Sequence, residues 1–172
     1  GLSRADHLRT LQELLATARL PVSTVCSPAL LSLPLLDKLR PANPADATLV
    51  VSRQREGSLR LSFFRGRDLV GSRVMRRSLA APPGDFARLA KQLEESVRYF
   101  DAAFAPSATN PIDVLLLCEP GVDPARARAQ GMGHEGFRLH VPDPADAARR
   151  LGLRDDLQAG NGDLLFVELL RR

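Results

Sequence analysis

Residues 48–77 read TLVVSRQREGSLRLSFFRGRDLVGSRVMRR, and the way this stretch divides decides the fold. It separates into three β-rich runs, Thr48–Gln54, Leu59–Arg65 and Leu69–Arg77. The breaks between them are short, Glu56-Gly57-Ser58 and Gly66-Arg67-Asp68. Runs of branched and aromatic residues joined by brief glycine-containing turns predict an antiparallel meander, because a short turn lets a strand pair only with its neighbour. In the middle run Leu59, Leu61 and Phe63 alternate with Arg60 and Ser62, which predicts one apolar and one polar face.

Downstream, Phe86, Leu89, Leu93, Val97, Phe100 and Phe104 recur every three or four residues. That spacing predicts an amphipathic helix, capped by Asp85 or the residue before it, whose stripe packs on the sheet. Ile112–Cys118 is an almost unbroken apolar run, as in a strand covered on both faces. A short helix near Pro124–Gln130, a loop with Gly131, Gly133 and Gly136, a strand over Phe137–Val141 and a helix from Pro144 to Leu151 follow. The apolar positions of Asp163–Arg172 suggest a last helix. Upstream, Ser3 and Asp6 form a loose capping box ahead of Leu8, Leu11, Leu15 and Ala18 at helical spacing. Val22–Cys26 reads as a short strand, and Ser27-Pro28 opens a helix to Leu39 that Pro34 kinks or divides. The order, α-β-α followed by β-β-β-α-β-α-β-α, is that of a layered α/β domain.

At 172 residues, 44% hydrophobic and 26% charged, the chain is long enough to bury a core, and its mixture excludes wholly disordered or collagen-like classes. No apolar run reaches the length of a membrane helix, and Gly1–Thr10 does not read as a signal peptide. The formal charge is +4, and all but Lys38 and Lys91 of the 24 basic residues are arginine. The excess is local: residues 53–77 hold eight arginines against Glu56 and Asp68, a net +6. Within it Arg53, Arg55, Arg60, Arg65 and Arg67 form a candidate interaction patch. The patch lacks the aromatic interleaving of an RNA-reading sheet, so no nucleic-acid partner is expected, although an arginine-rich nucleic-acid-binding domain is a weighed alternative.

Catalytic and metal motifs are missing from the sequence. His7, His134 and His140 stand at no metal-ligand spacing and read as a helix, a loop and a strand-end residue. Cys26 and Cys118 are single thiols in apolar segments, read as buried and reduced. The glycines at 131, 133 and 136 precede a strand instead of opening a helix, so they make no dinucleotide loop. Acids are scattered, including Asp37, Asp46, Asp101, Asp113, Glu119, Asp123 and Asp143, and the Asp155-Asp156 pair reads as a solvated turn instead of a catalytic dyad. No catalytic residue, metal ligand or cofactor-binding residue is assigned, and no cofactor is expected.

The run Leu49–Arg73, then Phe86–Phe104 and Ile112–Gly121, resembles the second half of the actin-like ATPase (ribonuclease-H-like) fold. The nearest likeness is to inner-membrane platform proteins of type IV pili, the pilus-assembly protein M and competence protein A family and its mannose-sensitive haemagglutinin pilus counterpart. The type II secretion L-protein is more distant. FFRGRDLVGSR over 63–73 resembles the family's second hairpin, and DLLFVELLRR over 163–172 its last helix. The resemblance implies an actin-like half-domain over 48–172, preceded at 1–40 by the helix-strand-helix end of a first half that this chain lacks. Val22–Cys26 would then be an edge without its natural neighbour.

Where active members of that fold carry Asp-x-Gly, this chain has Ser52-Arg53-Gln54, and where they carry Gly-Gly it has Glu119-Pro120, with Gly121 retained. Proline removes a backbone donor and glutamate adds an anion where a nucleotide would sit. The resemblance therefore implies a non-catalytic cytoplasmic scaffold, peripheral to the bacterial inner membrane. It would dock an inner-membrane pilus or secretion platform protein, with a motor ATPase and a second copy as further partners. A nucleotide-binding actin-like ATPase module needing its missing half is the other alternative.

Overall fold

The computed structural model describes residues 4–19, 27–41, 43–54, 57–76, 78–82, 84–104, 112–117, 137–142 and 144–152, together with 123, 126 and 129. The expected strand at 22–26, both cysteines, the Glu119-Pro120-Gly121 segment, the glycine-rich loop at 131–136 and the tail 163–172 lie outside these residues. So does nearly all of the expected helix at 124–130.

The meander forms as its turns dictate. Strand β1 (Ala47–Arg53) pairs antiparallel with β2 (Leu59–Arg65), and β2 pairs antiparallel with β3 (Asp68–Met75). Gly66, in the turn between β2 and β3, has φ +58°, a left-handed conformation that L side chains rarely adopt. An added Cβ there would meet nothing within 4 Å, so the backbone, not the space, selects glycine. The third strand is displaced from its expected bounds, starting at Asp68 and ending at Met75. A bulge between Phe63 and Phe64 shifts its register, so that Phe63 faces Gly71 while Phe64 faces Leu69.

Helix α3 (Phe86–Phe104) then carries the chain across the sheet, so β4 (Ile112–Leu117) returns parallel to β1. Strand β5 (Phe137–His140) adds parallel to β4, and α4 (Pro144–Leu151) follows. The five-stranded order is β3-β2-β1-β4-β5.

Two apolar layers sandwich this sheet. On one face Phe86, Leu89, Leu93 and Phe100 of α3 meet Leu49, Val51, Leu59, Leu61, Phe63, Val114 and Leu116. Phe63 and Phe100 stack with ring centroids 5.2 Å apart and planes 3° from parallel. Val97 packs on this layer half-buried, and the Phe104 side chain lies outside the description. The Asp85 carboxylate accepts the Arg88 N–H at 3.1 Å, which caps α3 as the sequence suggested.

On the other face α2 (Ser32–Leu39) and α4 bring Leu35, Leu36, Leu39, Ala147 and Leu151 onto Val50, Phe64, Leu115 and Leu117. This layer corrects the reading of β2 as half-solvated. Ser62 and Phe64, on its expected polar face, are both buried because that face is covered. β4 is buried at every residue, as its sequence implied. Helix α2, expected to end a preceding unit, packs on this sheet and is tied to α4 by Lys38 Nζ donating to the Leu151 carbonyl at 3.4 Å.

The segment before α2 also departs from expectation. Residues 27–31 form successive turns, with the Leu30 N–H donated to Ser27 Oγ at 3.3 Å, and the helix begins only at Ser32. Pro34 thus sits in the first helical turn, where its missing N–H has no partner to lose, and it neither kinks nor divides α2. Helix α1 (Arg4–Thr17) forms, but its leucines do not make a core face: Leu8, Leu11 and Leu14 are all exposed.

Replacing Phe100, 2% exposed, with alanine should cost about 3–5 kcal/mol in denaturant unfolding. Leu14→Ala, at a position 62% exposed, should change stability by less than about 0.5 kcal/mol.

Candidate functional site

In sheets with parallel strands, ligands collect beyond the strands' carboxyl ends. In this sheet that end is where β1 runs out through Ser52-Arg53-Gln54. Ser52 and Gln54 are buried, and Gln54 Nε2 donates to Ser52 Oγ at 3.4 Å. The Gln54 N–H donates to the Ser58 carbonyl and the Gly57 N–H to the Gln54 carbonyl, both at 2.8 Å, which closes the turn into β2. The Arg53 guanidinium donates to the Gly57 carbonyl at 3.2 Å and to the Ala81 carbonyl at 2.8 Å. The Ala81 N–H in turn donates to Gln92 Oε1 at 2.9 Å, and Arg88 and Gln92 both donate to the Leu79 carbonyl. Arg53 therefore acts as a bracket between the β1–β2 turn and the segment entering α3. The position where the resemblance implies a phosphate loop is filled by the chain's own polar contacts.

The opposite end of the parallel strands is held by Asp113. This carboxylate is 1% exposed, on the α2–α4 face of β4. It accepts the Ala45 N–H at 2.6 Å, Arg138 Nε and Nη2 at 2.8 and 3.0 Å, and lies 2.9 Å from His140 Nε2. Arg138 also donates to the Asn43 carbonyl at 3.2 Å. Burial by itself would raise the carboxyl's pKa. The Ala45 N–H, the Arg138 and His140 contacts and the guanidinium charge outweigh it and hold Asp113 below the ordinary carboxylate range. Next to it across the ladder, Thr48 Oγ1 is buried with no hydrogen-bond partner among the described residues. The sequence reading missed this cluster, having placed Asp113 among scattered acids and His140 at a strand end. The available signal was an aspartate inside Ile-Asp-Val-Leu-Leu-Leu, since a carboxylate buried in such a run must be partnered.

The structure does not gather the candidate arginine patch into one surface. Arg53 faces the α3 side and is committed to carbonyls. Arg55 lies outside the described residues. Arg60 points to the opposite face, half-buried between Ser52 and Val74, its Nε without a hydrogen-bond partner among the described residues. Arg65 is exposed at the end of β2, and Arg67 pairs with Asp37 of α2 at 2.7 Å. That last pair is solvent-exposed and contributes little. Two arginines left out of the patch, Arg73 and Arg76, are exposed on or beside the outermost strand. Gly71, Ser72 and Arg73 join Tyr99 and Phe100 to line a depression of about 510 Å³.

Among the described residues no three histidine, cysteine, aspartate or glutamate side chains come together to hold a metal ion, and no helix is long and apolar enough to cross a membrane.

Compared with solved structures, the chain is similar to the PilM-PilN type IV pilus biogenesis complex, with a TM-score of 0.56 and 20% sequence identity. The match covers 98% of this chain and 58% of that chain, so this chain spans a little over half the length of its neighbour. The shared feature is the fold, which in this chain is a five-stranded mixed sheet with helices on both faces. No protein-family model matches the chain, and no curated protein matches it.

Asp113→Asn should cost about 1.5–3 kcal/mol, the worth of hydrogen bonds to a charged group. Because the folded carboxyl lies below its ordinary value, its contribution is fully present above about pH 4 and is lost as pH falls through the folded pKa. Acid titration of stability should therefore be shallower below about pH 4 in the variant than in the parent. Arg53→Lys, which cannot span both carbonyls, should lower stability by about 1–2 kcal/mol in urea unfolding.

Proposed function

We propose that this chain is a non-catalytic scaffold domain in the assembly of a type IV pilus or type II secretion inner-membrane platform. The observation that carries the reading is the fold likeness to the PilM-PilN complex over 98% of the chain. Arg53 supports the non-catalytic part. Ser52-Arg53-Gln54 offers neither the carboxylate that would hold magnesium nor the glycine that would let backbone approach a phosphate, and its cation is already engaged. In this reading the domain works on the cytoplasmic side of the inner membrane. It holds a platform protein there, as PilM is found with PilN in the neighbouring structure, and a motor ATPase is a further partner.

Calorimetric titration of the chain with ATP and magnesium should give no specific heat, and phosphate release should not exceed a buffer control. A magnesium-dependent micromolar affinity would overturn the scaffold reading in favour of a nucleotide-binding module. In the same protein, immobilised cytosolic segments of an inner-membrane pilus platform protein should retain the chain. Retention on DNA that falls steeply with salt, with none on the platform segments, would favour the nucleic-acid alternative.

A further inference from the structure

Strand β3 is an end of the sheet, with no strand on its outer side among the described residues. Most of it is open to solvent, and Val74 is 46% exposed on one face. An edge of this length presents a row of backbone donors and acceptors to any extended chain. Its side chains show what kind of chain. Arg73 projects to the α3 face, opposite Leu61, beside a Tyr99 that is 56% exposed and above the depression floored by Phe100. Neither Arg73 nor Arg76 has an acidic partner among the described residues, and both stand in the most basic stretch of the sequence.

Two self-pairings of this edge are disfavoured. The bulge at Phe63/Phe64 leaves Gly71–Met75 as the regular part of β3. Two-fold antiparallel pairing centred on Arg73 sets Arg73 directly against itself, which repels. Pairing centred on Ser72 brings Val70 against Val74, and the bulge turns these two toward opposite faces, so they cannot match. Bulge and arginine thus disfavour these two self-pairings, while the exposed cation favours a strand of opposite charge.

We propose that the outer edge of β3, over Gly71–Met75, receives an extended segment of a partner protein. That segment has an acidic side chain opposite Arg73 and an apolar one at the adjacent position, facing Val74. Main-chain pairing gives the affinity and the alternating side chains the selectivity. This deepens the docking reading above by naming the surface and the partner's chemistry.

The test uses the isotopically labelled chain titrated with a short synthetic peptide alternating valine with glutamate, and with its counterpart carrying lysine for glutamate. The glutamate peptide should shift amide resonances of β3 and of Tyr99 and slow exchange of β3 amides, and the lysine peptide should not. Arg73→Glu, at an exposed position, should weaken the glutamate peptide on the order of fivefold or more and confer binding of the lysine peptide. Equal binding of both peptides, shifts confined to other elements, no binding, or concentration-dependent self-association through β3 would each overturn the proposal. Retention on platform segments, measured alongside with the parent and Arg73→Glu, separates the two readings. If retention is intact in both while the glutamate peptide leaves β3 unshifted, the edge proposal falls and the platform reading stands. If the peptide docks on β3 while the platform segments retain nothing, the platform reading falls and the edge proposal stands.

Discussion

The architecture depends on β1, the central strand, at which the antiparallel and parallel parts of the sheet meet. Its backbone pairs antiparallel with β2 and parallel with β4, and its residues are buried alternately toward two different helical layers. Leu49 and Val51 belong to the core under α3, and Val50 to the core under α2 and α4. A strand in that position cannot slip by one residue without exchanging its two faces, so its register fixes that of the whole sheet. The mixed strand directions follow from it. Short turns keep β2 and β3 antiparallel on one side, and the long α3 crossover makes β4 parallel on the other.

Polar contacts then secure the two ends of the parallel strands. Asp113 draws the Ala45 backbone, Arg138 and His140 together at one end, and Arg53 fastens the β1–β2 turn to the entry of α3 at the other. Both use charge in the same way, spending an ionised group on backbone or partly buried partners so that loops become fixed to the sheet. Neither leaves its charge free for a ligand. The β3 edge, where the bulge, Arg73 and Tyr99 meet, is by contrast exposed.

Likeness to a pilus biogenesis structure at this level of identity is a statement about architecture, and a fold of this kind hosts both enzymes and scaffolds. What separates these is local. A nucleotide site on such a sheet needs glycine where backbone must approach phosphate and a carboxylate where metal must sit. In this chain the Arg53 guanidinium is committed to two carbonyls and stiffens the β1–β2 turn.

Among the described residues, local sequence pattern was enough to specify the strands of the sheet, α3 and their order. Glycine-centred turns bounded the meander, a regular three-or-four spacing set α3 from Phe86, and the apolar run at 112–117 announced a strand buried on both faces, because each of these signals is local. It did not determine which faces were covered. The Arg60 and Ser62 face of β2 looked solvated until α2 and α4, distant in sequence, covered it, and helical spacing alone did not show that Leu8 and Leu11 of α1 lie exposed. Pro34 could be placed only once the helix start was known, since one residue breaks a helix interior and suits a first turn. Asp113 acquired its role through Arg138 and Ala45, 25 and 68 residues away along the chain, and the Arg53 bracket needs Ala81, 28 residues away, as well as the local Gly57 carbonyl. Such pairings arise from the sheet register and the crossover, which bring together groups that no local pattern connects. That is why the arginines of 53–67 read as one patch in the sequence while the described ones, Arg53, Arg60, Arg65 and Arg67, are dispersed over two faces by the tertiary structure.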